Sequence, residues 1–244
     1  MRHFFVTLVK SIFKLFGLGV YKIGAGDIPL RTYVKSDYKK FENDVEFMKA
    51  WRRAERHTLV DILRCHELWS LVGQTKKLQS GCYLEVGVWR GGSGLILAKA
   101  LEHYGIREKL YLADTFTGVV KAGEMDNKYR GGEHSDASEK TVSKLFSENG
   151  ITNYEILKGL FPEDTGHHVE APLRLVHVDV DVYQGAKDIV EWCAGRLVRG
   201  GAIVFDDYGF SYCEGVTKLC EEYEMDKGFF FVHNINGHCV LLKT

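Results

Sequence analysis

The sequence predicts an α/β fold: a mostly parallel, Rossmann-like sheet that ends in an antiparallel hairpin and carries helices on both faces. Residues 173–208 read as strand, helix and strand, and residues 81–104 read as strand, glycine-rich turn and helix. Crossover units of this kind make neighbouring strands parallel. Near the end of the chain, Asn236-Gly237 separates two apolar runs, which is a typical signal of a β-hairpin.

Length and composition are those of an ordinary globular protein. The 244 residues are 45% apolar and 27% charged, so the chain can bury a full core. We predict three parts: a basic amphipathic segment (residues 1–26), a helical cap region (27–80) and the main domain (81–244). A formal net charge of −1 argues against nucleic acid as a partner. The six cysteines form no C-x-x-C pair, which indicates free thiols in a reducing, cytoplasmic compartment.

The N-terminal segment differs from the rest of the chain. Apolar residues recur at helical spacing within residues 1–24, basic residues accompany them, and no acidic residue precedes Asp27. A basic amphipathic helix favours peripheral contact with a membrane, here at its inner face. The alternative is that this helix packs on the domain or on a second subunit of a homo-oligomer. No apolar run has the length that a membrane span requires.

A glycine-rich turn follows the first strand of the main domain. The strand over residues 82–86 leads into the turn 87–94 and a helix over 95–104. Glycines let the backbone approach a ligand and expose helix N–H groups to it. The next strand, 109–113, is followed by Asp114, and an acid at this position typically binds ribose hydroxyls. The alternative is a tight strand-to-helix connection in which Asp114 is a turn residue.

The loop over residues 118–138 is polar, glycine-rich and long for a connection within a compact domain. It predicts a lid or binding loop, with a disordered surface loop as the alternative. Glu133 and His134 are its candidates for reaching a substrate. A helix over residues 138–149 and a strand over 154–158 follow.

The rest of the chain is organised around residues 173–208. We predict a strand over 173–178, a helix over roughly 184–198, and a turn at Gly200-Gly201 into a second strand over 202–205. His177, inside the first of these strands, is interpreted as a satisfied core histidine.

Four carboxylates follow these two strands. Asp179 and Asp181 come after the first strand, and Asp206-Asp207 come directly after the second. Parallel strands end at one edge of a sheet, so these side chains are expected to converge. Oxygen ligands of this kind suit a hard divalent cation, and Mg²⁺ above others. The alternative is that the acids cap turns and helices.

Five motifs occur in order along residues 81–244. They are Glu85-x-Gly87-Val88-Trp89-Arg90-Gly91-Gly92, Asp114-x-Phe116-x-Gly118, Gly159-x-Phe161-x-x-Asp164-Thr165, Asp179-x-Asp181-x-Tyr183 and Gly200-Gly201-x-x-x-x-Asp206-Asp207-Tyr208. With the terminal hairpin, this part of the chain resembles the sugar O-methyltransferases of the macrocin and mycinamicin type, which are class I S-adenosylmethionine-dependent methyltransferases. Thr115 stands where that family often has serine.

The resemblance implies dependence on S-adenosylmethionine and Mg²⁺, and it implies roles for individual residues. Asp179, Asp206 and Asp207 match the metal ligands. Asp181 matches the general base, so that Asp181 and Asp179 are the candidate catalytic pair. The candidate cofactor-binding residues are Glu85, Gly87, Val88, Trp89, Gly91, Ser93, Asp114 and Thr115.

The predicted function is methyl transfer to a hydroxyl of a sugar vicinal diol, in a glycan or a glycosylated metabolite. One alternative is a catechol-type O-methyltransferase, because the same acids serve any vicinal diol. A nicotinamide-dependent oxidoreductase is disfavoured by the terminal hairpin and by the lack of a G-x-G-x-x-G match at Gly87. A further alternative is a non-catalytic, membrane-associated protein of the same fold.

Overall fold

The computed structural model describes residues 40–244. The predictions for residues 1–26, including membrane contact, and for the first part of the cap region lie outside the described residues. Within residues 40–244, no helix combines the length and the apolar character needed to cross a bilayer.

Within the described residues, three helices precede the sheet: α1 (Lys40–Asn43), α2 (Val45–Ala54) and α3 (Ile62–Thr75). Asp61 begins α3, because its carboxylate accepts hydrogen bonds from the backbone N–H groups of Leu63 and Arg64. One face of α3 is apolar and buried, with Cys65, Leu68 and Val72 in the core. Helices α2 and α3 are therefore anchored by the same hydrophobic core as the sheet.

In the part of the chain that the structure describes, seven strands form one sheet in the order β3-β2-β1-β4-β5-β7-β6. The strands are β1 (Cys82–Val86), β2 (Leu110–Asp114), β3 (Tyr154–Lys158), β4 (Leu173–Val178), β5 (Leu197–Phe205), β6 (Phe229–His233) and β7 (Cys239–Lys243). The helices between them are α4 (Gly92–Tyr104), α5 (Glu139–Glu148), α6 (Tyr183–Ala194) and α7 (Glu214–Glu222). Strands β1 to β5 are parallel, and β7 is antiparallel to both β5 and β6. The predicted fold class is confirmed, including the terminal hairpin.

The predicted boundary between α6 and β5 is wrong. The helix ends at Ala194 rather than near residue 198, and β5 already begins at Leu197. Leu197 is buried and pairs with Leu173 of β4, so burial in the sheet outweighs continuation of the helix. Gly200-Gly201 lies inside the strand, where the register with β4 is irregular. The glycines therefore form an irregularity in the strand, not the turn that leads into it.

The parallel strands bring the functional segments to one edge of the sheet. The backbone N–H of Asp179 donates to Val86 at 2.9 Å, and that of Asp206 donates to Val178 at 2.9 Å. The first residues beyond β4 and β5 are thus fixed by the strand beside them. The carboxyl ends of β1, β2, β4 and β5 consequently face a common cleft.

Candidate active site

The cleft at this edge encloses about 1140 Å³ of space, including the part that opens to solvent. The strand-end loops, the loop over residues 117–138 and the segment between α2 and α3 line it. Most of the predicted site residues face it: Gly87, Val88, Trp89, Ser93, Asp114, Thr115, Asp179, Asp181, Asp206 and Asp207. Glu85 and Gly91 are absent from its lining.

The glycine-rich turn crosses the end of β4 at very short range. Gly87 has φ +91°, and a Cβ built there would lie 1.7 Å from the carbonyl oxygen of Asp179. Neither the conformation nor the space admits a side chain. The predicted cofactor turn and the first predicted metal ligand are thus in direct backbone contact.

Asp114 fastens this turn from the end of β2. Its Oδ2 accepts hydrogen bonds from the backbone N–H groups of Val88 and Trp89, each at 2.8 Å. Its Oδ1 accepts from the N–H of Phe116 at 2.6 Å. A carboxylate oxygen can accept more than one hydrogen bond. Asp114, at the cleft surface, therefore keeps acceptor capacity for a ligand hydroxyl while it shapes the turn.

Glu85 lies beneath the cleft floor, fully buried in β1. Its Oε1 is 3.0 Å from Nδ1 of His177. Within residues 40–244, Glu85 Oε2 and His177 Nε2 have no hydrogen-bond partner. His177 Nε2 lies 3.9 Å from Asp206 Oδ1, however, so this buried histidine faces a carboxylate at each ring nitrogen. Burial opposes the charged imidazole, but the carboxylates of Asp206 and Glu85 raise the pKa of His177 to about 10.

Three predicted metal ligands converge. Asp179, Asp206 and Asp207 each offer a carboxylate oxygen, and these oxygens lie within 4.8 Å of one another. Asp181 belongs to a neighbouring group of the same dimensions with Asp207 and Cys213. Asp181 and Asp207 have φ values of +64° and +60°, which is uncommon for residues other than glycine and directs their side chains into the cleft. An all-oxygen, carboxylate-rich set of donors fits a hard divalent cation.

The cluster is electrostatically frustrated. Burial and the carboxylates of Asp206 and Asp207 raise the pKa of Asp179 well above its ordinary value. Burial and the carboxylates of Asp206 and Asp181 raise the pKa of Asp207 to about 8. Burial acts in the same direction on Asp206, but the imidazoles of His177 and His238 and the charge of Arg64 hold its pKa below the ordinary range. Carboxylates held this close together favour a cation among them.

Arg64 is a site residue that sequence reasoning missed. Its side chain is 6% exposed, and its Nη1 contacts Asp206 Oδ2 and lies 3.3 Å from Asp207 Oδ1. Its Nε donates to Asp61 Oδ2 at 3.0 Å. The signal in the sequence was its position on α3, one turn before Leu68 on the buried face. A charged residue on an apolar helix face is rarely buried without a partner.

The loop over residues 117–138 folds across the cleft. The backbone N–H of Val119 donates to Glu133 at 2.8 Å, and Asp126 Oδ1 accepts from the N–H of Tyr183 at 2.9 Å. Tyr129 and His134 line the cleft, as the sequence predicted for His134. Glu133 is not in the cleft lining, and its Oε1 accepts from the N–H of Arg130 instead. Burial and the carboxylate of Asp181 raise the pKa of the Tyr129 hydroxyl.

The strand order and the strand-end cleft are those of a class I methyltransferase. The solved O-methyltransferase NovP superposes with a TM-score of 0.66 at 23% identity, covering 77% of this chain and 82% of that one. The calicheamicin methyltransferase CalS11 superposes with a TM-score of 0.61 at 16% identity, covering 91% of this chain and 99% of that one. At these identities the similarity establishes the fold.

Sequence comparison identifies the family. A sequence model of the macrocin-O-methyltransferase (TylF) family matches residues 32–243, and the chain belongs to this family. A tetracenomycin rhamnosyl 4'-O-methyltransferase of Streptomyces olivaceus is 27% identical, covering 77% of this chain and 75% of the relative. Mycinamicin III 3''-O-methyltransferase of Micromonospora griseorubida is 27% identical, covering 64% and 67%. The chain is an O-methyltransferase, as the sequence predicted.

Proposed function

We propose that this enzyme transfers the methyl group of S-adenosylmethionine to a hydroxyl of a glycosylated small molecule, with Mg²⁺ bound by Asp179, Asp206 and Asp207. The observation that carries the proposal is the convergence of these three carboxylates in the same cleft as the glycine-rich turn and Asp114. The relatives support the acceptor class, because both are named as O-methyltransferases of natural products and one name specifies a rhamnosyl-tetracenomycin.

The cofactor half of the cleft would be formed by the turn after β1 and by Asp114. The turn offers backbone close to the ligand because Gly87 has no side chain, and Ser93 lies in the first turn of α4 at the cleft wall. Asp114 is placed to accept from ribose hydroxyls. Glu85 supports this half from below, through its contact with His177, rather than by touching the cofactor.

The acceptor half would be formed by the carboxylate cluster and the loop over residues 117–138. Mg²⁺ bound by the three aspartates would hold two neighbouring hydroxyls and lower their pKa. The chain itself would hold the acceptor beside Tyr129 and His134, which line the cleft. Fixing an acceptor oxygen in line with the methyl carbon can lower the activation free energy by about 7–11 kcal/mol.

Asp181 is the proposed base. Its carboxylate adjoins Asp207 and faces the cleft, so it can accept the proton of the attacking hydroxyl. A lone pair of the acceptor oxygen forms the new bond to the methyl carbon. The bond between that carbon and sulfur breaks, and its electron pair stays on sulfur. The products are the methyl ether and S-adenosylhomocysteine, with the proton on Asp181.

The test is Asp179→Ala. We expect loss of Mg²⁺-dependent turnover, because one of three metal ligands is gone, while S-adenosylhomocysteine still binds with near wild-type affinity in calorimetry. Asp226→Ala is the matched control, since the Asp226 side chain is exposed and accepts a hydrogen bond from the nearby backbone N–H of Gly228. Wild-type turnover that persists in excess chelator would contradict the metal-assisted mechanism.

The acceptor class is tested separately by a methyl-transfer screen over glycosylated natural products and free catechols. We expect turnover with sugar diols. Activity confined to catechols would replace the sugar assignment with a catechol-type one and leave the metal site intact, since both acceptors present neighbouring hydroxyls.

A further inference from the structure

Asp206 is hydrogen-bonded to His238, a residue that has no role in the proposed reaction. We infer that Glu67 and His238 are positioning residues, which fix the Asp206 carboxylate so that its other oxygen faces the metal site. The inference rests on the proposed function, because it assumes that Asp206 is a metal ligand. It extends the site one turn further along α3, beyond Arg64, and to the terminal hairpin.

The ring of His238 bridges two carboxylates. Its Nε2 is 2.9 Å from Asp206 Oδ1, and its Nδ1 is 2.7 Å from Glu67 Oε2. The ring is fully buried, and Asp206 is 3% exposed. A buried imidazole bonded at both nitrogens cannot rotate without breaking a hydrogen bond, so the orientation of Asp206 follows from that of His238.

Glu67, on α3, is itself held by hydrogen bonds from the loop of the hairpin. Its Oε1 accepts from Asn234 Nδ2 at 2.5 Å, and its Oε2 accepts from Asn236 Nδ2 at 2.7 Å. The side-chain oxygen of Asn236 in turn accepts from the backbone N–H of His238 at 2.9 Å. The loop between β6 and β7 is therefore built around one carboxylate from α3.

The two carboxylate oxygens of Asp206 have different partners. His238 holds Oδ1, while Oδ2 faces Arg64, on the side of Asp207. A ligand carboxylate whose second oxygen is bonded keeps its geometry when a metal binds. Loss of an outer partner of this kind typically lowers metal affinity by about 10- to 100-fold.

The same histidine also belongs to a different candidate group. His177, His238 and Asp206 offer ligand atoms within 4.8 Å of one another, so this buried group has the dimensions to hold a second ion. The direct 2.9 Å hydrogen bond between His238 and Asp206 favours positioning instead. The number of ions bound separates the two roles.

Two substitutions at one position separate the two hydrogen bonds. In His238→Gln, the new side-chain amide lies where Nε2 of the imidazole was, so it can still donate to Asp206. In His238→Asn, the shorter amide lies where Nδ1 was, so only the contact with Glu67 remains. The full-length variants are titrated with Mn²⁺ by calorimetry in saturating S-adenosylhomocysteine. We expect one Mn²⁺ per chain, affinity weaker by about 10- to 100-fold in His238→Asn, and affinity within about threefold of wild type in His238→Gln.

The matched control is His233→Asn, because His233 lies in the same hairpin and its Nδ1 bonds Tyr208, not Asp206. Its Mn²⁺ affinity should not change. S-adenosylhomocysteine affinity should be unchanged in all variants, which excludes a general loss of structure. If His238→Asn does not fold, Glu67→Gln provides the test, since it removes the charge that orients the ring, and a weaker Mn²⁺ affinity of the same sign is expected.

Each other outcome has a distinct meaning. Wild-type protein that binds no Mn²⁺ would overturn the proposed metal site and this inference with it. Tight wild-type binding that neither His238→Asn nor Glu67→Gln weakens would overturn the inference and leave the proposed function standing. Two Mn²⁺ ions in wild type and one in His238→Asn would show that His238 is itself a ligand, and would also overturn it.

Discussion

At the scale of single residues, Gly87 links the proposed cofactor side of the cleft to the acid cluster through its backbone contact with Asp179. Its φ of +91° is strained for any residue with a side chain, and its close approach to the Asp179 carbonyl leaves no space for a Cβ. A shift of this turn would move the backbone that carries Asp179, so the two halves of the site share one constraint.

We therefore expect Gly87→Ala to lower the free energy of unfolding by about 2–4 kcal/mol, from the cost of positive φ and of overpacking together. It should also abolish binding of S-adenosylhomocysteine. Gly105→Ala is the control, because Gly105 has φ +64° but a Cβ added there would meet no atom within 4 Å. It should cost about 1 kcal/mol and leave binding intact. Urea unfolding and calorimetry measure both effects, and equal losses in the two variants would contradict the steric explanation.

The strand-end acids could be predicted from the sequence, whereas their supports could not. Asp179 and Asp206 each follow a short apolar run, and parallel strands place such positions at one edge. Arg64 is 142 residues from Asp206, and Glu67 is 171 residues from His238. No local pattern encodes these pairings. They depend on the orientation of α3 and on the five-residue loop between β6 and β7.

At the scale of elements, the strands were predictable because most of their residues are apolar, and the α6–β5 junction was not. Leu197 and Val198 fit a helix by spacing and a strand by burial. Pairing with β4 decides between them, and that pairing is a tertiary contact. The loop over residues 118–138 was equally ambiguous, since polar glycine-rich sequence is common to lids and to disordered loops.

Lys121 fastens this loop to its surroundings. Its Nζ is 2.5 Å from Asp188 Oδ2 of α6 and also contacts Glu163 Oε1. Burial opposes its charge, but the carboxylates of Asp188 and Glu163 raise the pKa of Lys121. A raised folded-state pKa means that this stabilisation is complete below the unfolded pKa of about 10.4 and is lost as the pH rises through the folded value.

Lys121→Met should accordingly lower the free energy of unfolding by about 0.5–1 kcal/mol at pH 7, because its partners remain partly exposed. The difference from wild type should shrink at pH 11, where the wild-type lysine begins to lose its proton. Urea unfolding at both pH values measures it. Lys187→Met, whose ion pair with Glu191 spans 4.0 Å at the surface, should show little change at either pH. A Lys121→Met deficit that is the same at pH 7 and pH 11 would exclude the ionic origin.

For the whole molecule, Asp206 is the point where separate parts of the chain meet. It follows β5, Arg64 reaches it from α3, and His238 reaches it from the hairpin. The cap helix, the parallel sheet and the antiparallel strands are thus joined through one buried carboxylate. Because Arg64 supplies a positive charge to the oxygens that the proposed metal would bind, the stability of the fold and the affinity for the metal should be linked.

Arg64→Met tests this linkage. Removing the guanidinium leaves Asp206 and Asp207 without its charge, so we expect a loss of about 3–5 kcal/mol in excess chelator. Added Mg²⁺ should restore part of that loss and raise the melting temperature more than it does in wild type, because the ion no longer competes with the arginine. Arg174→Met is the matched control: Arg174 is equally buried, but it pairs with Glu108 at the opposite end of β4. The Arg174→Met variant should be destabilised, but Mg²⁺ should raise its melting temperature only as much as it does in wild type. Equal Mg²⁺-induced shifts in both variants would mean that Arg64 supports the fold without sharing charge with a metal at Asp206.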